Sequence, residues 1–285
     1  GSELQVGDVI TKINGASVKS IVKSRSTITE GSNHPTVLRN IARQILRSNE
    51  DTIRVTFVRN RRPMETSLST YSPQEAYHYF KSIPQIDTCF KMLTPAVGYL
   101  CTERYQNTDA PVLWETIKNT KGLIIDLRCN SSNDIQYGLG SYMVSEPTEF
   151  VKILAGSTLV PGRFTFMPPL RFGVNTPDYY KGKVIILVNE QSQSNLEFAA
   201  MALSQIPGAV VVGSTTAGAD GNVSYIDLPG GIKTMISGIG IFYPDGGQTQ
   251  RVGVRINEIV EPTIEGVKAG RDEVLERAIE ILNEK

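Results

Sequence analysis

Between residues 122 and 213 the chain presents three short runs with almost no polar interruption. They are Gly122-Leu-Ile-Ile-Asp-Leu-Arg, Lys183-Val-Ile-Ile-Leu-Val and Ala209-Val-Val-Val-Gly. Each is the length of a strand, and helices are expected in the segments between them. Unbroken apolar strands alternating with helices predict an α/β unit whose sheet is covered on both faces. Ala96-Val-Gly-Tyr-Leu reads as a further strand, and 110–119, 135–144 and 195–205 read as helices. Residues 224–237 fold back around Pro229-Gly-Gly as a hairpin. A last helix over 272–283 carries Val274, Leu275, Ala278, Ile279 and Leu282 on one stripe. Asp272 and Glu273 fall in its first turn, where the helix dipole favours them.

The first 70 residues have a different pattern. Leu4 to Val18 predicts two short strands joined by an Asn14-Gly15 turn, the strongest short hairpin signal. A helix is expected over 34–48, with Pro35 early and Val37, Ile41, Ile45 and Leu46 on one face. Thr52-Ile-Arg-Val-Thr-Phe-Val alternates with period two, then turns through Asn60-Arg-Arg-Pro into a second strand. The expected organisation is a small module over 1–70, a connector over 71–93 and the α/β core over 94–285.

Composition narrows the function classes. Lys+Arg and Asp+Glu both number 29, so the net charge is zero, and a basic surface for nucleic acid or anionic lipid is not expected. No apolar run approaches the ~18–20 residues that span a bilayer. No signal peptide is expected in this chain. Because the chain opens inside a motif, an upstream segment is expected to have been removed. Three widely spaced cysteines (Cys89, Cys101, Cys129) make neither a disulfide framework nor a CxxC metal signature. Two histidines, His34 and His78, exclude a three-histidine zinc site.

Candidate chemistry centres on Val188-Asn-Glu-Gln-Ser-Gln-Ser-Asn-Leu-Glu197. A buried strand ends, a polar loop comes next and a helix begins near Asn195, so Ser194 falls at the junction. A hydroxyl beside the free N–H groups of a helix N-terminus is what acyl transfer needs: a nucleophile next to donors for an oxyanion. The same string also describes an ordinary N-cap, with Glu197 completing a capping box. Local physics alone favours the cap.

Several strings in order resemble the S41 serine peptidases, the C-terminal processing or tail-specific proteases. They are Asp126-Leu-Arg-Cys-Asn130, Asn189-Glu-Gln-Ser-Gln-Ser-Asn-Leu-Glu197, Val211-Val-Gly-Ser-Thr-Thr-Ala-Gly218, Tyr243-Pro-Asp-Gly246, Gly253-Val254 and Glu261-Pro-Thr263. Gly7-Asp8-Val9-Ile10 with Asn14-Gly15 and Thr52–Arg59 resembles the PDZ domain such proteases carry; its carboxylate-binding loop would lie before Gly7, so a truncated or degenerate module is expected. The resemblance implies an α/β core like those of Clp protease and crotonase, preceded by a PDZ-like module. It implies Ser194 as nucleophile, with Ser192 as decoy, and Asn195 and Ser131 (with Ser132 as the alternative) as backbone oxyanion donors. Arg128 and Glu197 would support the site structurally. No metal or cofactor is implied. The implied partner is a peptide or unfolded protein, with no nucleic acid, and the implied location is the bacterial envelope.

The departures matter as much. The family lysine falls 25 residues after the serine, where this chain has Ala219, and the histidine of the tricorn-like branch falls on Cys101. Asp220, adjacent to the vacant lysine position, is a weak base candidate, because an ordinary carboxylate titrates near 4; in Ala-Asp-Gly it reads first as a turn residue. His78 is a remote candidate, Lys233 reads as a solvated strand residue, and Cys101 and Cys129 read as buried strand-end residues. The turn at 130–134 lacks the family glycine. A pseudo-protease that holds peptides without cleaving them is therefore the first alternative. An acyl-CoA-handling relative of crotonase is the second.

Overall fold

The structure is a computed structural model that describes residues 3–82, 89–129 and 133–284. The chain divides into two compact units, 1–87 with 262–273, and 88–261 with 274–285.

The first unit is built on a four-stranded antiparallel sheet of β1 (Val9–Ile13), β2 (Ala16–Ser17), β3 (Thr52–Arg59) and β4 (Arg62–Ser69), in the order β2-β1-β3-β4. Asn14 and Gly15 make the first turn with φ 47° and 81°, the doubly left-handed geometry that Asn-Gly favours. The alternation in β3 puts Ile53, Val55 and Phe57 inside. Helix α1 (Val18–Arg25) and helix α3 (Pro73–Ser82) are elements the sequence pattern did not predict. No residue of either helix is fully buried; α1 is two turns long, and its stripe of Val18, Ile21 and Val22 is only half-buried. Helix α2 (His34–Gln44) starts where expected, with Asn33 capping the Thr36 N–H at 3.1 Å, and ends four residues sooner than the pattern suggests.

The second unit holds a six-stranded sheet in the order β16-β12-β11-β7-β6-β5. Its strands are β5 (Phe90–Thr94), β6 (Val97–Cys101), β7 (Gly122–Asp126), β11 (Lys183–Val188), β12 (Val210–Gly213) and β16 (Glu258–Ile259). All pairs are parallel except β5–β6. The three apolar runs are thus neighbours in one sheet. Their residues alternate between two cores. Leu123, Ile125, Val184, Ile186, Val188 and Val211 pack under helix α4 (Ala110–Ile117) and helix α5 (Asn195–Leu203). Ile124, Ile185, Leu187 and Val212 pack under Val274, Ala278 and Ile281. Burial on both faces is what an unbroken apolar strand requires.

A second sheet centres on β8 (Thr148–Gly156), flanked by β9 (Phe164–Phe166), β10 (Leu170–Phe172) and β15 (Ile239–Phe242). The hairpin β13 (Val223–Leu228) and β14 (Ile232–Ser237) stands apart as a two-stranded sheet. After β16 come α6 (Ile264–Lys268), part of the first unit, and α7 (Glu273–Asn283), whose body lies in the second.

The helix expected over 135–144 is replaced by turns and a single 3₁₀ turn at Leu139–Tyr142. Gly138 and Gly140 interrupt it, each costing about 1 kcal/mol in a helix interior. The chain instead wraps Tyr105, whose hydroxyl accepts the Leu139 N–H at 2.9 Å.

A single glycine sets the path of the loop after β12. The strand closes at Gly213, φ 137°, opposite Val188 of β11. A Cβ there would collide with the Val188 carbonyl, so only glycine lets the loop 214–221 leave the sheet at this point.

Candidate active site

β11 ends at Val188, and the chain turns through 189–194 into α5. Within that loop the two serines are separated by environment. Ser192 is fully buried; its hydroxyl donates to the Leu127 carbonyl at 2.7 Å and accepts the Asn189 N–H at 3.1 Å. It is a strut between two strand ends. Ser194 is exposed, at the residue before the first turn of α5, with φ 55° and ψ −118°. A non-glycine residue held there is strained, by about 1–3 kcal/mol. Such a turn lifts the side chain out of the loop at the mouth of a helix N-terminus. A strained serine between a strand and a helix is also the geometry of a nucleophile elbow.

Glu197, one turn into α5, is fully buried and accepts four hydrogen bonds. Oε1 takes the Thr216 hydroxyl at 2.6 Å and the Gly218 N–H at 2.7 Å. Oε2 takes the Ala219 N–H at 2.9 Å and the Ser194 N–H at 3.3 Å. Thr216 Oγ1 in turn accepts the Val254 N–H at 3.0 Å. Burial raises the pKa of Glu197, and the four donors oppose that rise. With both oxygens engaged, this carboxylate is an anchor that fastens loop 216–219 to the start of α5.

Ser194, Asn195 and Phe198 open onto a cavity of about 220 Å³ whose other walls are Asp134, Ile153, Asp220, Gly221, Asn222, Ile239 and Ile241. Asp220 is not the solvated turn residue that its sequence context suggests. It is 4% exposed. Oδ1 accepts the Gly221 N–H at 2.7 Å, and Oδ2 is buried with no hydrogen-bond partner among the described residues. Burial first, and the nearby Glu197 charge second, push its pKa up to about 7, against the pull of the Gly221 N–H. Sequence reasoning undervalued Asp220 because burial is a property of the folded chain that the Ala-Asp-Gly string does not carry.

Asn195 opens α5, so its N–H is one of the helix's unbonded leading donors. Its side-chain amide donates to the Asn133 carbonyl at 3.0 Å, which ties the helix start to the loop after β7. Ser131, the second expected donor, lies outside the described residues. Arg128 turns its guanidinium onto Asp126 through Nε at 3.0 Å and Nη2 at 2.7 Å, and Tyr99 donates to the same carboxylate at 2.8 Å. Arg128 therefore stiffens the strand end and does not line the cavity.

Other candidates fall elsewhere. His78 is exposed on α3, edge-on to Tyr77, in the first unit. Lys233 is solvated on the hairpin, 3.7 Å from Asp227. Cys101 and Cys129 are half-buried, not buried, and their thiols share a hydrogen bond that lowers the Cys101 pKa to about 7. Neither lines the cavity with Ser194. Among the described residues no cluster of His, Cys, Asp or Glu could hold a metal ion, and no helix is long and apolar enough to cross a membrane.

The profile of peptidase family S41 matches residues 97–260, more than half of the sequence, and the chain belongs to that family. No curated protein matches it. Among solved structures, mature CPAF superposes with a TM-score of 0.75 at 16% identity, covering 99% of this chain and 78% of that one. A putative peptidase from Parabacteroides merdae ATCC 43184 superposes with a TM-score of 0.60 at 17% identity, covering 93% and 88%. At such identities the likeness is one of fold: a mixed α/β architecture with several sheets.

Proposed function

We propose that the chain is a serine-type peptidase that cleaves peptide bonds by acyl transfer to Ser194. The observation that carries this reading is the backbone of Ser194: an exposed serine held at φ 55° before a buried helix, beside a cavity. A cap residue has no need of that strain, whereas a nucleophile does. In the proposed reaction Ser194 Oγ attacks the scissile carbonyl, and the oxyanion is met by the Asn195 N–H together with a donor from the loop at Ser131. The apolar walls Ile153, Phe198, Ile239 and Ile241 take a substrate side chain. The substrate is a peptide or an unfolded protein. The first unit is read as a PDZ-like module and the second as a core of the Clp protease and crotonase kind, with the bacterial envelope as the working location.

A second reading is favoured by a specific feature: neither a lysine at 219 nor a histidine at 101 is present. It makes the chain a pseudo-protease that binds peptides only. A fluorophosphonate probe separates the two. A covalent adduct on Ser194, absent in Ser194→Ala, supports the peptidase. Peptide binding with no adduct supports the pseudo-protease.

A further inference from the structure

We infer that Asp220 is the general base of this site, taking the proton of Ser194 in place of the family's lysine; the inference rests on the peptidase reading above. Three observations carry it. Asp220 and Ser194 line the same cavity. The residue before Asp220 and Ser194 itself both donate their amides to Glu197 Oε2, so loop and helix start are locked side by side. Asp220 Oδ2 is buried yet unpartnered among the described residues, whereas both oxygens of the neighbouring Glu197 are filled.

A half-satisfied buried carboxylate is costly, so its retention in a cavity wall points to a task. The groups that face it suit the role. Apolar Ile153, Phe198, Ile239 and Ile241 line the same cavity, as does the exposed Asp134, and Glu197 adds negative charge. Among the described residues no lysine, arginine or histidine lines the cavity to hold Asp220 ionised. A carboxylate raised into the neutral range is a competent acceptor for a hydroxyl proton near physiological pH.

The proton inventory closes. As the bond from Ser194 Oγ to the substrate carbonyl carbon forms, the Oγ proton passes to Asp220. As the C–N bond breaks, Asp220 returns that proton to the leaving amine. Asp220, again ionised, draws a proton from the water that attacks the acyl-enzyme. It then hands that proton to Ser194 Oγ as the acid product leaves.

The test is the rate of Ser194 phosphonylation by a fluorophosphonate between pH 4.5 and 9, on the full chain. The wild-type rate is expected to rise with pH and reach half its plateau near neutrality. Asp220→Asn, which keeps an oxygen for the Gly221 N–H, is expected to lower the plateau by about 10²–10⁴ and remove the inflection. Asp220→Glu should restore part of the rate. A wild-type rate in Asp220→Asn overturns the inference. Should that variant not fold, a wild-type profile without an inflection between pH 5 and 9 overturns it equally. Loss confined to hydrolysis of Lys- and Arg-containing peptides, with phosphonylation unchanged, makes Asp220 a recognition residue and also overturns it. No adduct in the wild type sinks both this inference and the peptidase reading; an adduct indifferent to Asp220 sinks only the inference.

Discussion

The amides of Ser194 and Ala219 end on one atom, Glu197 Oε2, at 3.3 and 2.9 Å. Twenty-five positions apart in sequence, they are held together by a carboxylate that has no other capacity left. Replacing Glu197 by Gln keeps the shape but turns two acceptor sites into an NH₂ group that faces donors. Glu197→Gln is expected to cost about 1–3 kcal/mol for each N–H or O–H left unpaired. Urea unfolding measures the cost. Fluorophosphonate labelling of the folded fraction should fall, because the loop carrying Asp220 is released.

The two serines of the loop have opposite expected phenotypes. Ser192→Ala removes a buried hydroxyl that bridges Leu127 and Asn189, and should lower stability by about 1–3 kcal/mol while Ser194 remains reactive. Ser194→Ala should abolish labelling and leave stability nearly unchanged. Labelling lost in Ser192→Ala but kept in Ser194→Ala would reverse the assignment.

Strain at Ser194 is measurable. Glycine adopts φ 55°, ψ −118° without the clash a Cβ brings. Ser194→Gly is therefore expected to raise unfolding free energy by about 1 kcal/mol over Ser194→Ala. Equal stabilities of the two variants would mean the turn stores no strain.

Stability should also titrate. Asp220 has a folded pKa raised to about 7, above the ~3.9 of an unfolded aspartate. The folded state thus binds the proton more tightly than the unfolded one. The contribution is fully present below pH ~4 and is lost as pH rises towards 7, on the order of 4 kcal/mol at most. Burial gives Glu197 the same sign. Asp8, held down to about 2 by Arg59, acts in the opposite sense and only below pH ~4. Chemical denaturation at pH 4.5 and 8 should show the loss, and Asp220→Asn should remove most of it.

How far the fold and the site can be read from the amino acids depends on where each signal is written. The strands β7, β11 and β12 and the start of α5 are legible because burial on two faces leaves an apolar run, and a strand-to-helix junction leaves a polar loop. The family is legible through an ordered set of short strings, whereas local physics at Ser194 favours a cap. The turns at 135–144 are misread because the apolar residues recur at helical spacing there, and that spacing outweighs the glycines that break the helix. The position of Asp220 beside the vacant lysine is legible, but its burial is not. In Ala-Asp-Gly the aspartate looks like a turn residue; only the folded chain buries it, in the wall of a cavity shared with Phe198, Ile239 and Ile241.

The conformation of Ser194 bears on the history of the chain as well as its chemistry. A position strained by any side chain but relieved by glycine is one where random mutation runs downhill in free energy. A lineage that had given up catalysis would gain folding stability from the first glycine to arise there, with nothing lost. On the peptidase reading, a serine retained at that position is under a load that the use of its hydroxyl compensates.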